Sequence, residues 1–125
     1  PVTGGILLAH ETGKALGTSA ILTERVDGKM TFRRGFSLRE GERVLIVEDI
    51  VTTGGSIKEV IYVVKAAGAV PVAVSMLVDR SGGKATFGDV PATALLTMDV
   101  ETYTPEHCPL CAKGIPMTKR GRTGK

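Results

Sequence analysis

The stretch Val44-Leu45-Ile46-Val47-Glu48-Asp49-Ile50-Val51-Thr52-Thr53-Gly54-Gly55-Ser56 decides how this chain is read. It opens with a continuously apolar run, passes through two adjacent acids, and ends in a small, hydroxylated, glycine-rich turn. An unbroken Val/Leu/Ile run fits a strand buried on both faces, as a parallel sheet requires. Behind the turn, Ile57, Val60, Ile61 and Val64 recur at i, i+3, i+4 and i+7. That spacing is a single helical stripe. Ser56 with Glu59 three residues on suits a capping box, and Gly68 suits the helix stop. The unit is therefore strand, acid pair, loop, helix.

The same alternation runs outward in both directions. Ile6–Leu16 is predicted as a helix ended by Gly17, and Ser19–Glu24 as a strand. Asp27-Gly28 is a turn signal, with Lys29–Arg33 returning as a second strand or a mobile arm. Arg39–Glu42 is a polar turn, Val70–Val78 a buried strand ending at Asp79-Arg80, and Ala94–Met98 a last strand. The expected fold class is α/β, a mainly parallel twisted sheet flanked by helices.

Length and charge bound the rest. A chain of 125 residues builds one domain around one core. The predicted core covers residues 1–112. It opens at Pro1 inside a Gly-rich turn, so it is expected to be incomplete at its N-terminal side. Net charge is +3, yet residues 113–125 hold five basic residues and no acid, leaving 11 basic against 13 acidic residues over 1–112. The basic excess thus describes a tail at 113–125, which is expected to be mobile, and no nucleic-acid partner is expected. No apolar run approaches the ~20 residues of a membrane span, and no signal peptide is visible. The expected location is cytoplasmic. Cys108 and Cys111 form a C-x-x-C pair. A redox pair, part of a metal set that would need both histidines or a carboxylate, and two plain thiols in a turn all remain open.

Each part of the central stretch has a chemical reason. Gly54 and Gly55 let backbone approach an anion closely. The loop and the helix start at Ser56 present N–H groups and the positive end of a dipole, and Thr52, Thr53 and Ser56 add hydroxyls. Glu48 and Asp49 would repel a phosphate in that cradle, so they suit vicinal sugar hydroxyls instead. The implied ligand is a sugar phosphate. A Walker loop is excluded, because its spacing and lysine are missing.

At these residues the chain resembles the type I phosphoribosyltransferases, whose signature for 5-phosphoribosyl-1-pyrophosphate (PRPP) is an apolar strand, two acids and a T-G-rich loop. Its surroundings resemble the orotate branch of that family. The resemblance implies PRPP contacts from Arg25, Glu48, Asp49, Ile50, Val51, Thr52, Thr53, Gly54, Gly55 and Ser56, and a pyrophosphate loop at Val2, Thr3 and Gly4. It implies orotate contacts from Thr52 and from Arg80, whose fork suits a carboxylate. Arg25 and Lys29 match the family's mobile loop, with Lys29 and Asp49 as catalytic residues. The family's loop histidine falls on Thr31, and a solvated hairpin is the plain alternative for Lys29. Mg²⁺ would be held mainly by substrate and water, with no protein metal ligands. Cys108-Pro109-Leu110-Cys111 through Gly114-Ile115-Pro116 is similar to the tail of one bacterial branch. The implied reaction transfers the phosphoribosyl group from PRPP to orotate in a homodimer. The alternatives are a PRPP-binding regulatory module and an enzyme for another base, for which Arg80 would be hard to explain.

Overall fold

In the computed structural model, which describes residues 4–116, nine elements follow one another. They are helix α1 (Gly5–Leu16), strands β1 (Thr23–Val26), β2 (Lys29–Phe32) and β3 (Arg43–Val51), helix α2 (Gly55–Ala66), strands β4 (Val70–Asp79) and β5 (Ala92–Thr97), a 3-10 turn at Pro105–His107, and helix α3 (Pro109–Ala112). Strands β3, β4 and β5 form one parallel sheet in that order, and β1 with β2 forms an antiparallel pair of its own. The α/β class and parallel sheet expected from the alternation are what the chain adopts.

Core formation follows the helical stripe. Ile57, Val60, Ile61 and Val64 are all buried on α2, and they pack with Ile46 of β3 and with Val74 and Met76 of β4. Pro71 lacks an N–H, and the β3/β4 register slips beside it, between Val44 and Leu45. Asp27 and Gly28, with φ of 48° and 79°, give the hairpin the positive dihedrals that a tight two-residue turn needs. Met30 of β2 is buried in the same core and Phe32 packs against it. Lys29–Phe32 is therefore an anchored strand.

Three expectations are corrected. The first strand begins at Thr23, not Ser19, because its pairing starts only where β2 can reach it, at Thr23↔Phe32. The apolar run of β3 is not buried on both faces: Ile46 is buried, but Leu45 is exposed, as are Leu77 of β4 and Leu95 of β5. No capping box forms at α2. Its N-cap is Gly54, and the Glu59 carboxylate pairs with Arg25 at 2.8 Å. The proposed boundary between core and tail falls at Lys113, while residues 117–125 of that tail lie outside the described residues.

Ile57 is 1% exposed and Tyr62, on the same helix, is 73% exposed. Ile57→Ala should lower unfolding free energy by about 2–5 kcal/mol in urea titrations. Tyr62→Ala should change it by less than about 0.5 kcal/mol. Equal losses would show that α2 is not held by its stripe.

Candidate functional site

Strand β3 continues through the acid pair and ends at Val51, so Glu48 and Asp49 sit on rigid backbone. Glu48 is 7% exposed, and Asp49 is half-buried. Each carboxylate accepts a nearby backbone N–H: Asp49 N–H donates to Glu48 Oε1 at 3.1 Å, and Ile50 N–H to Asp49 Oδ1 at 2.8 Å. Burial pushes Glu48 up to about 7, and the neighbouring Asp49 carboxyl adds to the rise. Against this pair lies the start of α1. A methyl group placed on Gly4 would fall 1.6 Å from Asp49 Oδ2, and one on Gly5 would fall 3.2 Å from Glu48 Oε1. Only glycine at position 4 admits that approach. Val2 and Thr3, the rest of the expected pyrophosphate loop, lie outside the described residues.

The loop after Val51 is open where a ligand would need it. Thr52, Thr53, Gly55 and Ser56 are exposed, and Gly54 is buried with φ of 77°. A methyl group on Gly54 would meet the Phe87 ring at 2.9 Å. Gly55 N–H donates to Thr53 Oγ1 at 3.4 Å, and no side chain of the N-cap covers the first turn of α2. Its remaining N–H groups face whatever fills the loop. A depression of about 80 Å³ is lined by Glu48, Ile50 and residues 51–57. Ile50 is exposed at its rim. The Val51 side chain belongs to the core, so this residue can serve a ligand only through its backbone. A larger hollow of about 440 Å³ lies between α1 and β3, but neither acid nor any loop residue lines it.

Arg80 joins this edge through its backbone. Its N–H donates to the Val51 carbonyl at 2.8 Å, immediately before Thr52, and its side chain is exposed. The turn behind it is built by Asp79, which the sequence reading passed over. Asp79 is 7% exposed and accepts from Ser81 N–H at 2.7 Å and Gly83 N–H at 3.0 Å. These bonds, those at Ser81 first, hold its carboxyl below the ordinary range. Ser81 Oγ in turn accepts from Ala85 N–H at 2.8 Å. An acid followed closely by Ser-Gly-Gly is a side-chain-built turn signal, and it was available in the sequence.

The hairpin is placed differently. Arg25 is held by Glu59 and by the Gly28 carbonyl, to which its Nη1 donates at 2.9 Å. Lys29 is exposed directly after the turn. The structure thus gathers Gly4, Glu48, Asp49, the Thr52–Ser56 loop and Arg80 at one sheet edge, and docks Arg25 onto α2 instead. Among the described residues no three His, Cys, Asp or Glu side chains converge as a metal cage.

The profile of the phosphoribosyl transferase domain matches residues 8–88. Over 97% of its length the chain is 55% identical to an orotate phosphoribosyltransferase of Desulforamulus reducens, and 53% identical to one of Carboxydothermus hydrogenoformans. It spans 63% of the length of each of these relatives. Among solved structures, an adenine phosphoribosyltransferase from Thermoanaerobacter pseudethanolicus superposes with a TM-score of 0.64 at 19% identity, covering 78% of this chain and 67% of that one. An orotate phosphoribosyltransferase from Aeropyrum pernix gives 0.60 at 24% identity, covering 77% and 56%. These structural likenesses establish the fold.

The raised Glu48 carboxyl predicts a pH signature. Its folded value lies above its unfolded one, so its protonated form favours the folded state below about 4.5. That contribution is lost as pH rises through about 7. Wild-type stability should decline between those limits and then level off. Glu48→Gln should remove that part of the slope in urea midpoints measured across the range. An unchanged slope would show that Glu48 ionises normally.

Proposed function

The chain belongs to the phosphoribosyltransferase family, and from that premise we propose that it carries the PRPP and orotate sites of an orotate phosphoribosyltransferase. The reaction joins the phosphoribosyl group of PRPP to orotate N1, giving orotidine 5′-phosphate and pyrophosphate. One observation carries this reading: the Arg80 amide is tied to the Val51 carbonyl at 2.8 Å, so the Arg80 backbone is fixed beside the start of the open loop that follows the acid pair. The relatives' shared name supports the choice of orotate over another base.

In this reading the Thr52–Ser56 loop holds the 5-phosphate on its N–H groups and hydroxyls. Glu48 and Asp49 accept from the two ribose hydroxyls, and the Gly4 turn faces the pyrophosphate. Arg80 binds two oxygens of orotate with its planar fork, beside Thr52. As the bond from ribose C1 to pyrophosphate breaks, C1 gains positive character. The protein then contributes position and fixed charge. Mg²⁺, when bound with PRPP, would neutralise charge on the pyrophosphate. With Glu48 and Asp49 engaged by the ribose hydroxyls, the metal would take its oxygen ligands mainly from substrate and water. Lys29 adds positive charge to the pyrophosphate when the hairpin leaves its dock. The working unit is a cytoplasmic homodimer, each hairpin serving the neighbouring site. Residues 1–112 form the core of this unit and 113–125 its basic tail.

Steady-state transfer assays test this on the chain and, in parallel, on a version extended to its relatives' full length. Arg80→Lys should raise the orotate KM roughly 10–100-fold, as the loss of a charge-assisted bond implies. The PRPP KM should change little, and uracil should be a poor substrate. Efficient use of uracil or adenine with orotate ignored would overturn the base assignment. Lys29→Ala should lower kcat at least about tenfold with a small change in the orotate KM, the pattern of a contact made mainly in the transition state. Wild-type turnover would make Lys29 a solvated hairpin residue.

A further inference from the structure

Outside the site, Cys108 and Cys111 stand together in a part of the chain that the proposed reaction does not use. Cys108 is half-buried and caps α3, and Cys111 is exposed on that helix. Cys111 N–H donates to Cys108 Sγ at 3.4 Å. The segment is pinned on both sides of the pair. His107 N–H bonds to the Thr104 carbonyl at 3.0 Å, and Gly114 N–H to the Cys111 carbonyl at 2.9 Å. Gly114 turns the chain with φ of 68°. The Cys108 sulfur thus rests on the Cys111 backbone one turn on, with Cys108 half-buried and Cys111 exposed to solvent.

We propose that Cys108 and Cys111 are a reversible dithiol–disulfide site that exchanges with low-molecular-weight disulfides of the glutathione type. Their inequality assigns the roles. Cys108 receives backbone N–H groups, that of Cys111 first, which hold its thiol below the ordinary range. The Cys111 thiol is pushed up, first by its hydrogen bond with the Cys108 sulfur. Cys108 is therefore the attacking thiolate and Cys111 the resolving thiol. The Cys108 thiolate attacks one sulfur of the external disulfide, whose S–S bond breaks, and one external thiolate leaves and takes up a proton. Cys111 then gives up its proton and attacks Cys108 Sγ of the mixed disulfide. The second external thiol leaves with a proton. The two cysteines together lose two electrons and the external disulfide gains them, so no further oxidant is needed. A metal centre is the competing use of a C-x-x-C pair, but structural zinc takes four ligands, and no third ligating side chain converges here among the described residues.

Equilibration of the chain in reduced and oxidised glutathione, followed by acid quench and intact-mass measurement, tests the proposal without reference to phosphoribosyl transfer. Wild type should lose two hydrogen atoms with no bound glutathione, and dithiothreitol should restore them. Cys111→Ser should stop at a single mixed disulfide on Cys108. Cys108→Ser should react at least about tenfold more slowly, because its remaining thiol is the less ionised one. Thermal unfolding of both variants checks that the surface turn tolerates the change. A wild type that stays fully reduced in every buffer, or that gathers two glutathiones, would overturn the proposal. So would zinc that co-purifies and blocks both thiols, which would make the pair half of a metal site.

Discussion

Parallel pairing of β3 with β4 is the constraint on which the site depends. The pairing runs from Arg43↔Val70 to Val51↔Asp79, so both strands end at the same edge. One strand delivers the acid pair and the loop; the other delivers Arg80. The hydrogen bond from Arg80 N–H to the Val51 carbonyl continues the pairing one residue beyond the strands. Because the side-chain period of a strand is two, a slip of one residue would turn Glu48 or Arg80 to the opposite face. The α2 stripe opposes that slip, since a shift of one residue would turn Ile46, or Val74 and Met76, away from the core they share with Ile57, Val60 and Val64. Packing away from this edge thus fixes the geometry of the groups gathered there.

The second constraint is steric. α1 enters so close to Glu48 and Asp49 that glycine stands both at its N-cap, Gly4, and at its first position, Gly5, and the same closeness keeps Glu48 from water. Burial of a carboxylate costs free energy, and the rise of Glu48 toward neutrality is that cost expressed as a proton affinity. Asp49, half-buried and bonded to the Ile50 N–H, keeps one oxygen directed at Gly4. Two neighbouring acids therefore differ in character: one sheltered and easily protonated, one turned toward the entering turn of α1.

Local patterns in the sequence expose much of this. The apolar run of β3, the glycines of the loop and the stripe of α2 each reflect a rule of short range, and each lies where the pattern places it. Longer-range competition hides the remainder. Ser19–Leu22 has strand-like composition, but strand formation needs a partner, and β2 pairs only from Thr23 onward. Ser56 and Glu59 have the spacing of a capping box, yet Glu59 meets Arg25 from a hairpin thirty-odd residues earlier. Asp79 is different: the Ser81-Gly82-Gly83 run just after it is a short-range signal of the turn its carboxylate builds, even though the residue itself reads as a strand end. Exposure of Leu45, Leu77 and Leu95 depends on what covers the sheet, and a pattern within one strand carries no information about that.

The hairpin is held on α2 by two contacts of different strength. Met30 is buried against α2, and the exposed Arg25–Glu59 ion pair adds a second contact to the same helix. An exposed pair of this kind contributes about 0–1 kcal/mol, so it biases the hairpin's position without locking it. Buried methionine contributes more, but it lies in β2, one residue past Lys29, while Arg25 lies across the ladder from it. A bend at the Asp27–Gly28 turn and its flanking pair Val26↔Lys29 would move Lys29 and leave Met30 seated, whereas Arg25, paired with Met30, would leave Glu59 only by turning its side chain. A PRPP pyrophosphate carries far more negative charge than the Glu59 carboxylate. It would compete for the same guanidinium, and α2 would then lose an ion pair while keeping its apolar anchor.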